Sequence, residues 1–415
     1  MEAVEKMFLQ AVKASVEDKQ VQWEDKLPPE EWLAFFQLAE AHHVLPMVYE
    51  AVYSCPAAQK SDQQFFARFK KRTMQAVLLQ AVKTSEFLSM MQHLKSAGIN
   101  PCVIKGIVCR ELYPNPDFRM SSDEDLLISD AQFQICHRAL LDYGMSTSEL
   151  PDLNSAYEIS YQKQGSPLYI ELHKSLFPTD SDAYGNLNSF FTGIDERLIE
   201  IQVQGTTLLT MDYTDHLFYL ICHALKHFLH SGFGIRQVCD IVLFANCYGS
   251  EIDWNCMLKN CREICADQFA ATLFQIGQKY LTFDPEKACY PEVWQEIQVD
   301  EQNMLSDILR SGIYGGINMS RKHSSGVTLN AVSAQKQGKR AGNSILKTVF
   351  PPAKALKNRF PYLEKHPYLL PMAWISRILS YQKELRTTSG NHAADSIKIG
   401  NQRVALLKQY GIIKK

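Results

Sequence analysis

The chain has 415 residues, of which 46% are hydrophobic, and a formal net charge of −2 at pH 7. That length predicts two or three domains, and the apolar share is ample for packed cores, so a disordered chain is excluded. Near-balanced charge gives no global drive toward nucleic acid or a membrane surface. The start, Met1 to Lys6, lacks a basic segment followed by an apolar run, and no uninterrupted apolar stretch of about 18 residues occurs, so neither a signal peptide nor a bilayer span is expected. The eleven cysteines include no Cys-x-x-Cys pair, and reduced thiols in a cytoplasmic protein are the expectation.

Taken in chain order, residues 1–95 read as helical. Trp32, Phe35, Phe36 and Ala39 recur at three- and four-residue steps, as do Val77, Leu78, Ala81 and Phe87. Residues 96–212 change period. A strand is expected over Pro101 to Ile104, a helix from Gly106 to about Tyr113, a strand from Ser122 to Ile128 and a helix from Asp130 to Tyr143. Extended segments follow at Tyr157 to Tyr161 and Leu168 to His173. Strands interleaved with helices over so short a span predict an α+β fold, a small mixed sheet flanked by N-terminal and C-terminal helical regions. Residues 213–290 return to helix, with His223, His227 and His230 on one face of the segment from Asp215 to His230.

The acidic strand carries the chemistry. Asp123 and Asp125 stand two residues apart in an extended segment and so share one side. Two carboxylates that close repel, and one tends to keep its proton unless a cation sits between them. A third acid, Glu171, leaves the polar face of a second strand, where Leu168, Ile170 and Leu172 alternate with Tyr169, Glu171 and His173. Three such acids on neighbouring strands suit two metal ions about 3.5–4 Å apart, the arrangement that clamps the attacking and leaving oxygens in phosphoryl transfer. The plainer alternatives are surface charges or a cap for the aspartates, and an ion pair with lysine for Glu171. Lys105 precedes Gly106 at the start of a helix, a place where phosphate oxygens are bound; otherwise it is a solvated turn lysine. Arg119 either neutralises the acids or contacts phosphate.

Lys105-Gly106, the helix ending near Leu112-Tyr113-Pro114, Arg119, the Asp-x-Asp of Asp123 and Asp125, and the strand Glu171-Leu-His173 together resemble an uncharacterised bacterial nucleotidyltransferase family of the DNA polymerase β-like superfamily. The resemblance runs from roughly residue 75 to residue 290, with weaker echoes at Phe350-Pro-Pro and Leu369-Leu-Pro371. It implies that residues 96–212 are a catalytic module in which Asp123, Asp125 and Glu171 are catalytic and bind two Mg²⁺ ions, with Mn²⁺ as the alternative. It implies further that Lys105, Gly106 and Arg119 contact a nucleoside triphosphate (NTP). The chain departs from the superfamily at two points. Lys105-Gly106 stands where Gly-Ser or Gly-Gly is usual, and Glu171 where aspartate is common.

The histidine face of His223, His227 and His230 lacks the Glu of a His-Glu-x-x-His zinc motif, and Lys226 opposes a cation. These rings are expected to line a domain interface and bond to backbone or Asp240, with substrate binding as the alternative. Cys102, Cys109, Cys222 and Cys239 read as small buried hydrophobes; Cys256, Cys261 and Cys265 make a weak zinc candidate. Residues 291–415 read as a basic flexible loop and a helical extension. No acid lies between Asp307 and Glu364, and residues 320–344 are expected to be a loop or linker. Trp374, Ile375, Ile378 and Leu379 form the stripe of a terminal helical element. Aromatics are scarce in the basic segment, which argues against single-stranded nucleic acid. The sequence therefore reads as a metal-dependent nucleotidyltransferase acting on an unknown hydroxyl of a small molecule, peptide or protein. The alternative is an inactive nucleotide-binding or scaffold protein on the same fold.

Overall fold

The computed structural model describes residues 1–147, 153, 156–312, 319–338, 350–356, 359–387 and 393–414. Six strands form one mixed sheet, β1 Cys102–Ile104, β2 Glu124–Leu127, β3 Glu158–Gln162, β4 Tyr169–His173, β5 Leu198–Val203 and β6 Thr206–Met211, in the order β3-β4-β2-β1-β6-β5. The α+β expectation holds. β2 runs antiparallel to β1 and parallel to β4, in a register that sets Asp125 beside Glu171. Sequence reading passed over the β5–β6 hairpin, which adds the far edge of the sheet. Its two-residue turn is Gln204-Gly205, both with positive φ, the backbone that a tight hairpin requires.

Each face of the sheet meets its own core. On one side Val103, Leu126, Ile170 and Leu172 pack with Phe87, Met91 and Leu94 of the long helix α5 (Gln63–Ser96) and with Phe133 and Leu140 of α7 (Asp130–Asp142). Ile104, Leu127 and Met211 face the larger core, which the N-terminal helices α1 (Ala3–Val16), α2 (Pro29–Ala41) and α3 (Leu45–Val52) share with the helices after the sheet. These are α8 (Tyr213–His230), α9 (Ile235–Tyr248), α10 (Trp254–Glu263), α11 (Asp267–Tyr280) and α13 (Glu301–Ser311), with the short α4 (Pro56–Gln59), α6 (Gly106–Arg110) and α12 (Glu292–Gln295) between. Asp253 caps α10, accepting from the N–H groups of Asn255 and Cys256. Cys102, Cys109, Cys222 and Cys239 are buried, as their apolar surroundings predict.

The final third differs from expectation. Of the loop anticipated over residues 320–344, the part up to Lys336 is helix α14 (Met319–Lys336), packed on α8 and on the last helix, α17 (Ala393–Gln409), and residues 339–344 lie outside the described residues. Polar Ser324 and Thr328 are buried within it, each hydroxyl bonded to a backbone carbonyl, which a count of Ser and Gly does not reveal. Arg321, one of the basic residues, is buried against Asp307; Lys339, Arg340, Lys347 and Lys357 lie outside the described residues. Beyond the short α15 (Ala353–Leu356), the helix α16 (Leu370–Thr387) turns Ile375 and Leu379 to solvent instead of packing them, while Trp374 is half-buried and donates to the Pro351 carbonyl. The side chain of Ile378 lies outside the described residues. No helix among the described residues is long and apolar enough to cross a membrane.

Candidate active site

The turn between β1 and α6 is built around a buried acid that the sequence reading left out. Glu124 lies between Asp123 and Asp125, so alternation sends it to the opposite side of β2. There its carboxylate accepts from the Ile107 N–H at 2.8 Å and the Ser121 hydroxyl at 2.8 Å, and pairs with the buried Arg110. A Cβ on Gly106 would meet Glu124 Oε2 at 2.1 Å, at a φ of +31°. Only glycine fits that position. Lys105 is also left-handed, at φ +43°, a costly backbone for a side chain that branches from Cα. Its N–H donates to His216 Nε2 at 3.0 Å, His216 Nδ1 lies 3.2 Å from the Thr210 hydroxyl, and that hydroxyl donates to the Val103 carbonyl. Burial holds the His216 imidazole neutral, lowering its pKa to about 3.

On the other side of β2 and β4 the sheet gathers Asp125, Glu171 and His173, with one donor atom from each lying within 4.8 Å of the others. Burial by itself would raise the Asp125 carboxyl. Lys105 Nζ at 2.8 Å and His173 Nε2 at 3.0 Å outweigh it and hold that carboxyl well below the usual range. Glu171 goes the other way. Burial first, then the nearby charges of Asp125, Asp123 and Glu158, push it up to about 7, the split expected of crowded carboxylates. Asp123 lines the same cleft but is not in the closest cluster. Its position is fixed through the backbone before it, where Lys83 donates to the Ser121 and Ser122 carbonyls and Gln80 accepts from the Ser121 N–H.

Helix α8 forms the facing wall. Tyr219, His223, Lys226 and His227, spaced at three and four residues, line a cleft of about 340 Å³ with Asp123, Asp125, Glu158, Glu171 and His173. His223 Nε2 lies 3.3 Å from Lys105 Nζ and 3.1 Å from His227 Nε2. Burial, then Lys105 and Lys226, hold the pKa values of both rings down. His223 and His227 thus lie where α8 meets the sheet, with Lys105 and His227 beside the His223 ring. His230 bonds instead to the Tyr184 hydroxyl at 2.7 Å. Asp240 is engaged elsewhere. It takes a two-point ion pair from Arg119, at 2.6 and 3.1 Å, and the Tyr113 hydroxyl at 2.8 Å.

The six residues singled out in the sequence thus fall into three places. Asp125 and Glu171 meet in the cluster, with Lys105 against Asp125 and Asp123 at the edge. Gly106 packs on Glu124, and the adjacent amide, that of Ile107, is taken by that carboxylate. Arg119 is bound to Asp240 and faces a much smaller cavity beside the cleft.

A family model described as "Uncharacterised nucleotidyltransferase" matches residues 28–282, more than half of the chain. The chain belongs to that family. The match begins well before residue 75, so α2, α3 and the whole of α5 fall within it and not only the sheet. No curated protein and no solved structure matches the chain. Membership joins the acidic and histidine cluster to nucleotidyl transfer as a class of chemistry, with an NTP as the substrate class.

Proposed function

We propose that the cleft binds an NTP with divalent cations and transfers its nucleoside monophosphate to an acceptor hydroxyl, releasing pyrophosphate. The observation that carries this reading is the meeting of Asp125, Glu171 and His173 beneath Lys105, in a member of a nucleotidyltransferase family. The donor set fits a divalent ion: Asp125 is held ionised, and Glu171 offers a second hard oxygen within reach. Asp123, Asp125 and Glu171 would hold the ions, Mg²⁺ with the triphosphate among them, and the bound ions would supply charge stabilisation at the attacking and leaving oxygens.

The chain's own groups do the rest. Lys105 and Lys226, on opposite walls of the cleft, offset the charge of the triphosphate. Glu171, whose carboxyl is raised by burial and by the neighbouring acids, takes the acceptor proton on a carboxylate oxygen. The acceptor oxygen bonds to the α-phosphorus while the bond to the bridging oxygen breaks. Pyrophosphate carries away the electron pair of that bond. Tyr157, Tyr169 and Tyr219 line the cleft with flat faces for a base or an acceptor. Positioning and electrostatics account for the rate, with no covalent intermediate. The acceptor is a small molecule, a peptide or a protein, and the setting is cytoplasmic.

A second reading, nucleotide binding without turnover, is favoured by the pairing of Asp125 with both Lys105 and His173. Calorimetric titration of NTPs into the full chain, with Mg²⁺ and then with chelator, separates the two when followed by transfer from α-labelled nucleotide to acceptors. Metal-dependent binding that is lost in Asp123→Asn/Asp125→Asn, together with label transfer, is the expected result. Binding without transfer moves the conclusion to the second reading. No binding to the folded wild-type chain overturns both.

A further inference from the structure

We infer that His173 is itself a metal ligand, and that with Asp125 and Glu171 it forms a site for a first-row transition-metal dication in preference to Mg²⁺. The inference rests on the metal-binding half of the proposed function. His173 Nε2 stands 3.0 Å from Asp125 Oδ1 and 3.8 Å from Glu171 Oε2. Two ligands about 2.1 Å from one ion and at right angles to each other stand about 3 Å apart, and wider angles open that distance further. Both distances to His173 Nε2 therefore suit ligands of one ion, and the Asp125 and Glu171 oxygens lie within 4.8 Å of each other.

The sheet produces that spacing. Across parallel β2 and β4, Asp125 is in register with Glu171 and Leu127 with His173. Alternation then puts Glu171 and His173 on the face that Asp125 occupies. Antiparallel β3 sets Glu158 opposite His173, and Glu158 Oε2 lies 3.5 Å from His173 Nδ1. That separation is longer than a hydrogen bond and Nδ1 has no such partner among the described residues; a carboxylate that closes on the outer ring nitrogen would fix the tautomer and aim the other nitrogen at a metal. A positive charge is already stationed at this point, for the Lys105 ammonium sits 2.8 Å from Asp125 Oδ2. An arriving ion would take the place of that ammonium and bind Nε2 in the tautomer that carries its proton on Nδ1, toward Glu158.

Donor chemistry then chooses the ion. Mg²⁺ prefers an all-oxygen shell and holds its waters tightly, whereas imidazole nitrogen favours transition dications. An all-carboxylate site would use Asp123 as its third ligand. Asp123 is not among the three residues whose donors converge, and His173 is.

The test uses the full chain with Mn²⁺ alone and no nucleotide. Pulsed EPR of the bound ion is expected to show coupling to one nitrogen nucleus. The coupling should vanish in His173→Gln and persist in His223→Gln/His227→Gln, so the assignment survives even if the first variant fails to fold. Calorimetry should find Mn²⁺ bound more tightly than Mg²⁺ by roughly tenfold or more, with the ratio falling toward one in His173→Gln. Mn²⁺ that binds without nitrogen coupling, or with coupling removed by the His223 and His227 changes, overturns the inference and leaves the proposed function standing. A folded wild-type chain that binds neither ion without nucleotide also overturns the inference, while the proposed function stands or falls on NTP binding.

Discussion

Glu124 has no exposed surface, and its carboxylate is shared by Arg110, the Ser121 hydroxyl and the Ile107 N–H. Glu124→Gln leaves Arg110 as an uncompensated buried charge, a loss of about 3–5 kcal/mol, and a urea titration should show the midpoint falling accordingly. Gly106→Ala drives a methyl into the same carboxylate, and we expect a loss of about 2–4 kcal/mol by the same measurement. Lys105→Met separates two roles of one side chain. NTP binding should weaken because a cation is gone, while binding of a divalent ion to the nucleotide-free chain should tighten because Asp125 is released; calorimetry reads both. At this scale the sequence was partly legible. Alternation along two strands was enough to bring Asp125 and Glu171 together. His173 sat in the same strand with the same periodicity, but a histidine two residues from an acid has no meaning until its neighbour strand is known. Glu124 was hidden for a similar reason, since nothing in the order of residues pairs it with Arg110.

Among the elements, α8 contributes most to the cleft, and it does so from both of its ends. His216, in its first turns, holds the strained Lys105 turn through one hydrogen bond, and His223 and His227 face the acids further along. His216→Phe keeps the ring volume but strands the Lys105 N–H, and a loss of about 1–3 kcal/mol is expected in urea. The helix itself was plain from its apolar period. Which wall it forms was not, because Lys105 and His223 lie 3.3 Å apart across more than a hundred residues of chain. The β5–β6 hairpin escaped for a local reason: its turn is Gln-Gly and not the stronger Asn-Gly signal. His42 links α2 to later helices. Its Nδ1 accepts the Ile235 N–H at 3.0 Å, and Nε2 lies 3.3 Å from the Leu309 carbonyl. Burial lowers its pKa to about 4, and that of His216 to about 3. The unfolded chain protonates both near pH 6.5 while the folded chain does not. Stability from these groups is complete above that pH and falls on acidification, by about 1.4 kcal/mol per pH unit for each ring, until the folded values are reached. Urea midpoints at pH 7.5 and 5.5 check it.

For the molecule as a whole, the packing sets what can stand alone. Phe8, Trp32 and Phe36 share one core with Leu217, Phe228 and Met304, so the N-terminal helices complete the core behind the sheet. A fragment limited to residues 96–290 should therefore fail to give a cooperative thermal transition by circular dichroism, while the full chain gives one. The sequence showed helices flanking a sheet but not that both flanks build one interior, since contacts between distant segments leave no period to read. By contrast, Ile375→Ser and Leu379→Ser, on the solvent side of α16, should shift stability by no more than about 0.5 kcal/mol. The amide at the start of α6, open to ligand in many phosphate-binding turns, is held here by Glu124, and Glu124 in turn admits no side chain at residue 106. Turn and acid form a lock in which neither half can drift alone. A change in what the cleft accepts then falls to exchangeable side chains such as Lys226, leaving the backbone of the turn as it stands.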